Sequence, residues 1–175
     1  YDAVEEMAQT GRMIGVSETR FAPQMNLTRG QLATILYRME GSPEVTGMEH
    51  PFTDVAENRF YSDAVTWASE HGIVCGVTET KFLPNVAVTR EQMAVLLYRY
   101  AEYKGYNMAV EGDLSRFPDG EKTSKYAESA MCWAVNAGLF QGSADGGAIW
   151  LKPQSGATRA QAATVLVRFL EKFSA

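Results

Sequence analysis

The sequence predicts an all-α fold: three helix–loop–helix repeats in a pseudo-threefold arrangement around a central three-helix bundle. Three observations predict it. One stretch recurs, as "LTRGQLATILYR" at 27–38, "VTREQMAVLLYR" at 88–99 and "ATRAQAATVLVR" at 157–168. Residues 2–38 also lie on 63–99 without a gap, with Asp2/Asp63, Gly11/Gly72, Gly15/Gly76, Phe21/Phe82, Pro23/Pro84 and Thr28/Thr89 identical. Within each copy the apolar residues fall at helical spacing. A single helix pair cannot bury both its faces, whereas three copies bring their long apolar helices together.

The copies divide the chain into modules at 1–46, 47–110 and 111–175, the first lacking its beginning. In the second, "YSDAVTWASEHG" places Ala64, Val65, Trp67 and Ala68 on one side of a helix that stops at Gly72. A Gly- and Pro-punctuated loop follows, with Phe82 tucked inward. The second helix starts at Thr89 and carries Met93, Leu96, Leu97 and Tyr100 at helical spacing. Thr28 with Gln31, Thr89 with Gln92 and Thr158 with Gln161 each form a capping-box signature. The third copy matches through Trp133, Gly138, Gly142, Pro153 and Arg168, with an insertion near "DGG" at 145–147. Segments 40–51 and 102–113 are polar, Gly- or Pro-bearing connectors.

Composition narrows the function classes. The chain has 175 residues, 46% hydrophobic and 21% charged, which suits a globular protein with a sizeable core. A formal charge of −5 argues against nucleic acid and against docking on an anionic membrane. No apolar run approaches the roughly 18–20 residues that span a bilayer. No secretory leader pattern is visible, and the chain opens without Met and reads as a fragment. Cys75 and Cys132 fall at different places in the repeat; buried thiols are the leading reading and a disulfide the alternative. No Ser/His/Asp, Cys/His or paired-carboxylate arrangement recurs, and no phosphate loop is present. His50 and His71 have no matched histidine, so both read as structural. A non-enzyme without cofactor or metal is expected.

The ordered set F-x-D, aromatic plus "DAVTWA", "GIVCG", F-x-P and "VTREQ" with "LLYR" resembles the S-layer homology module, in the variety ending T-R-x-Q. The resemblance covers nearly the whole chain. It implies a three-pronged arrangement around a central helical bundle. It also implies non-covalent binding of a secondary cell-wall polysaccharide, often pyruvylated, in grooves between prongs. The implied partner is bacterial cell-wall polymer, the implied setting the cell surface, and the chain part of a larger exported protein. The alternative is a helical-repeat module for protein–protein interaction or surface-layer assembly.

The arginine of the family's T-R motif corresponds to Arg29, Arg90 and Arg159. A cation there is mildly unfavourable for the helix dipole. One reading pairs each with Asp54, Asp119 or another carboxylate across a module boundary. The other has arginine and free helix N–H groups jointly receive an anionic or polyhydroxyl ligand. Gln31, Gln92 and Gln161 stand where the family commonly has glutamate, keeping the cap without the charge. Trp67 and Trp133 share one position and read as buried anchors or as rim platforms for a sugar ring. Arg20 and Lys81 match each other, as solvated loop charges or groove cations.

Overall fold

A computed structural model describes residues 2–15, 20–108 and 112–173. Its helices are α1 (Asp2–Gln9), α2 (Arg29–Met39), α3 (Ser62–Glu70), α4 (Arg90–Tyr103), α5 (Glu128–Asn136) and α6 (Arg159–Phe173). The insertion in the third copy forms a two-stranded antiparallel hairpin, β1 (Ser143–Asp145) and β2 (Ala148–Trp150), with Ser143 opposite Trp150. The all-α expectation holds, with this hairpin as its one small addition among the described residues.

Each copy does contribute a short helix, a loop and a long helix. The closest helix packing, however, runs between copies: α2 against α3, α4 against α5, and α6 back against α1. The reason is visible in the burial. Each long helix turns Leu and Ala side chains inward, including Leu32, Leu36, Ala94, Leu97, Ala162 and Leu166. The short helices fill the outer side with Met7, Trp67 and Trp133. The long helices also meet: the Tyr100 ring lies 5.8 Å from Phe169, and the Tyr100 hydroxyl donates to Glu40 at 2.9 Å.

Three backbone hydrogen bonds close the order into a ring. Leu27 N–H donates to Ala157 O at 2.8 Å, Ala157 N–H to Val88 O at 3.0 Å, and Val88 N–H to Leu27 O at 2.9 Å. These residues directly precede the capping threonines. The ring therefore sets the starting points of all three long helices at once.

The loop after each short helix bends through a residue in the left-handed region just before a proline: Ala22 (φ 53°), Leu83 (φ 58°) and Lys152 (φ 53°). A non-glycine residue there is strained, by roughly 1–3 kcal/mol. The carboxylate of F-x-D stabilises the bend. Asp54 accepts from Phe82 N–H and Leu83 N–H, both at 2.9 Å, and Asp119 accepts from Leu151 N–H and Lys152 N–H, both at 2.8 Å. Burial pushes the Asp54 pKa upward, but the N–H bonds from Phe82 and Leu83 outweigh it and hold the pKa below its usual value.

Candidate functional site

Each long helix starts with all its early N–H groups satisfied. In the second copy Gln92 N–H donates to Thr89 Oγ1 (3.2 Å) and Thr89 N–H donates to Gln92 Oε1 (3.1 Å). The same reciprocal bonds link Thr28 with Gln31 and Thr158 with Gln161. The next two N–H groups donate to the following copy's loop. Arg90 N–H reaches Ser155 O and Glu91 N–H reaches Pro153 O. Arg29 and Gly30 reach Val86 O and Pro84 O, while Arg159 and Ala160 reach Met25 O and Pro23 O. The ligand-receiving reading of the arginines calls for free N–H groups beside them; inserted loop carbonyls occupy those groups instead.

The arginines make the same crossing. Arg29 Nε donates to Phe82 O at 2.7 Å and Nη2 to Cys75 O at 3.2 Å. Arg90 Nε donates to Leu151 O at 2.8 Å. Arg159 Nε donates to Phe21 O at 2.8 Å and Nη2 to Ile14 O at 2.5 Å. Their guanidinium carbons sit 4.6 Å over Phe82, 5.1 Å over Phe140 and 4.6 Å over Phe21. All three arginines are buried, and burial lowers their pKa values. They are not ion-paired with Asp54 or Asp119, as one sequence reading expected. Among the described residues the salt bridges are Lys104–Glu40 and Lys152–Asp145. Each arginine is a clasp between copies, and its charge is met by carbonyl dipoles and an aromatic face.

Two matched grooves open beside these clasps. The first, about 380 Å³, is lined by Arg29 from the first copy, Cys75, Gly76, Gln92 and Arg99 from the second, and Tyr126 from the third. The second, about 350 Å³, repeats it one step round the ring with Arg159, Ile14, Gly15, Gln31, Arg38 and Phe60. Gly76 is required where it stands: a Cβ there would meet Thr78 O at 2.0 Å. Arg38 and Arg99 are half-buried and have no hydrogen-bond or ion-pair partner among the described residues. They are the unspent donors of the two grooves. Their counterpart Arg168 instead donates to Leu139 O (3.2 Å) and Gln141 Oε1 (3.0 Å).

The remaining sequence candidates separate. Gln31 and Gln92 both cap and line a groove, whereas Gln161 caps on an exposed turn. Trp67 and Trp133 are 1% and 2% exposed, so they are core anchors and offer no free face to a sugar. Arg20 and Lys81 are exposed and line neither groove. Cys75 and Cys132 are free thiols; Cys75 is exposed at a groove wall, against the expectation of burial. His71 Nδ1 lies 2.8 Å from Trp67 O, and His50 Nδ1 accepts from Phe52 N–H at 3.1 Å. Among the described residues no His, Cys, Asp and Glu are grouped to hold a metal, and no helix is long and apolar enough to cross a membrane.

Arg38, Arg99, Phe60 and Tyr126 are charged or aromatic groove residues outside the sequence candidates. Their signal was recurrence: arginine ends the repeated stretch in every copy, and an aromatic precedes the short helix.

A ring of helical repeats with donor-bearing grooves between copies defines a repeat-built helical module. The profile of the S-layer homology domain matches residues 1–33, 51–94 and 116–163. The chain belongs to the S-layer homology domain family, and with it to the bacterial cell surface. It is 32% identical to the surface-layer 125 kDa protein of Lysinibacillus sphaericus over 99% of this chain and 14% of that one. It is 31% identical to an endoglucanase of Bacillus sp. (strain KSM-635), covering 97% of this chain and 17% of that one. To the cellulosome-anchoring protein of Acetivibrio thermocellus it is 25% identical over 87% of this chain and 34% of the relative. The chain thus spans a minor part of each relative's length.

Proposed function

We propose that this chain is a non-catalytic anchor that holds a larger exported protein to the bacterial cell wall by binding a secondary wall polysaccharide in its inter-copy grooves. The observation that carries this is the pair of matched grooves, each with one clasp arginine, one unpartnered arginine, a capping glutamine and an aromatic from the next copy. Unpartnered guanidinium groups suit a carboxylate or a run of sugar hydroxyls, since each presents several donors in a planar fork. A pyruvylated amino sugar offers both kinds of acceptor. The relatives support the same reading: one is named for anchoring, one for a surface layer, and one for a glucanase activity joined to a homologous segment.

The test is a pull-down on bacterial sacculi before and after acid extraction of the secondary polymer. The chain is expected to sediment with intact sacculi and to stay in solution with extracted ones. Equal binding to bare peptidoglycan overturns the reading.

A further inference from the structure

The two grooves are matched in position but not in wall. Tyr126 closes the first and Phe60 the second. Tyr126 is 61% exposed, yet its hydroxyl lies 3.2 Å from Glu91 Oε1. Glu91 is a carboxylate only 4% exposed. It also accepts from Ser124 N–H at 2.9 Å and from Ser124 Oγ at 2.8 Å. One buried carboxyl group thus ties the start of α4 to the segment that carries the groove wall. The matched positions in the other copies are Gly30 and Ala160, neither of which has a side-chain acceptor. Phe60, the wall of the second groove, has no hydroxyl to be held.

We infer that Glu91 is a positioning residue that fixes Tyr126 in the groove shared with Arg29 and Arg99, making that groove the tighter and more selective of the two. The inference rests on the proposed function and adds which groove dominates and what it asks of its ligand. Glu91 accepts the hydrogen bond that the Tyr126 hydroxyl donates, which leaves the acceptor capacity of the phenolic oxygen free. Tyr126 therefore meets a ligand as an acceptor on a pre-set wall, beside the donors of Arg99. The groove then suits a sugar that carries an anionic or acceptor group next to a free hydroxyl. A wall already held in place loses little conformational freedom on binding, which raises affinity. The Phe60 groove has Arg38 and Gln31 as well, but its aromatic wall carries no acceptor.

The experiment is calorimetric titration with oligosaccharide fragments of acid-extracted wall polysaccharide. Wild type is expected to show two unequal sites. Arg38→Ala is expected to remove the weaker and Arg99→Ala the tighter. Glu91→Ala, which places at this position the residue found in the third copy, is expected to weaken the site left in Arg38→Ala about tenfold and to leave the site in Arg99→Ala unchanged. Tyr126→Phe, an exposed and fold-neutral change, is expected to give a similar loss that does not add to that of Glu91→Ala. Equal loss in both backgrounds marks Glu91 as merely structural and overturns the inference, as do unchanged affinities or fully additive losses. Absence of any binding by wild type overturns the proposed function itself, and this inference with it.

Discussion

Arg90 and Asp119 hold Leu151 from opposite ends. Arg90 Nε donates to the Leu151 carbonyl at 2.8 Å, and Asp119 accepts from the Leu151 N–H at 2.8 Å. Arg90 belongs to the copy before Leu151, and Asp119 to the same copy as Leu151. Arg29 and Asp54 repeat this hold on Phe82. The strained loop bend and the junction between copies are therefore one structure. The arginine at the helix start is there to reach sideways, and its cost against the helix dipole is offset by the carbonyls it meets.

Arg90→Ala is expected to lower stability by about 2–3 kcal/mol, because it strands the buried Leu151 carbonyl and removes the guanidinium from Phe140. Arg90→Lys is expected to recover little, since an ammonium lacks the planar donor that Nε provides. Urea unfolding followed by circular dichroism measures both. A loss under about 0.5 kcal/mol contradicts the clasp.

Asp54 sets an acid limit. Its folded pKa is depressed, so its contribution is present above the unfolded value near 3.8 and is lost as pH falls through the folded value. Thermal stability is expected to fall below about pH 4. Asp54→Asn is expected to be less stable at neutral pH and to show a shallower acid decline. A parallel decline in the variant excludes Asp54 as a source.

Much of this was readable in the residues. The threefold repeat, the capping boxes and the helical class follow from spacing, because Thr-x-x-Gln and a 3.6-residue period are local properties. The partners of Arg29, Arg90 and Arg159 were not, because a backbone carbonyl from the next copy has no residue-type signature. Arg29, Arg90 and Arg159 meet carbonyl dipoles rather than the charges of Asp54 and Asp119. Trp67 and Trp133 carry aromatic rings whether buried or exposed, and only packing against Tyr37, Tyr98 and Tyr100 decides which.

The caps have a separable magnitude. Thr89→Ala removes the acceptor for Gln92 N–H at the start of α4 and is expected to destabilise by about 1 kcal/mol. Thr89→Ser, which keeps the oxygen, is expected to stay within about 0.5 kcal/mol of wild type. Chemical denaturation distinguishes the two, and equal losses argue against the cap.

Core and groove respond in opposite ways. Trp67→Ala is expected to cost about 3–5 kcal/mol through the cavity it leaves. Arg38→Ala with Arg99→Ala is expected to change stability by less than about 0.5 kcal/mol, since neither arginine has a side-chain partner to strand among the described residues. The double variant is nevertheless expected to lose sedimentation with intact sacculi. Retained sedimentation places binding elsewhere.

The central claim is that the grooves between copies receive the wall polymer, and amide chemical-shift mapping tests it most directly. Isotope-labelled protein titrated with acid-extracted wall polysaccharide is expected to shift the amides of Gly76, Val77 and Gln92, and those of Ile14, Gly15 and Gln31. Amides on the exposed faces of α3 and α5 are expected to stay in place. Shifts confined to those outer faces, with the groove amides unmoved, contradict the account.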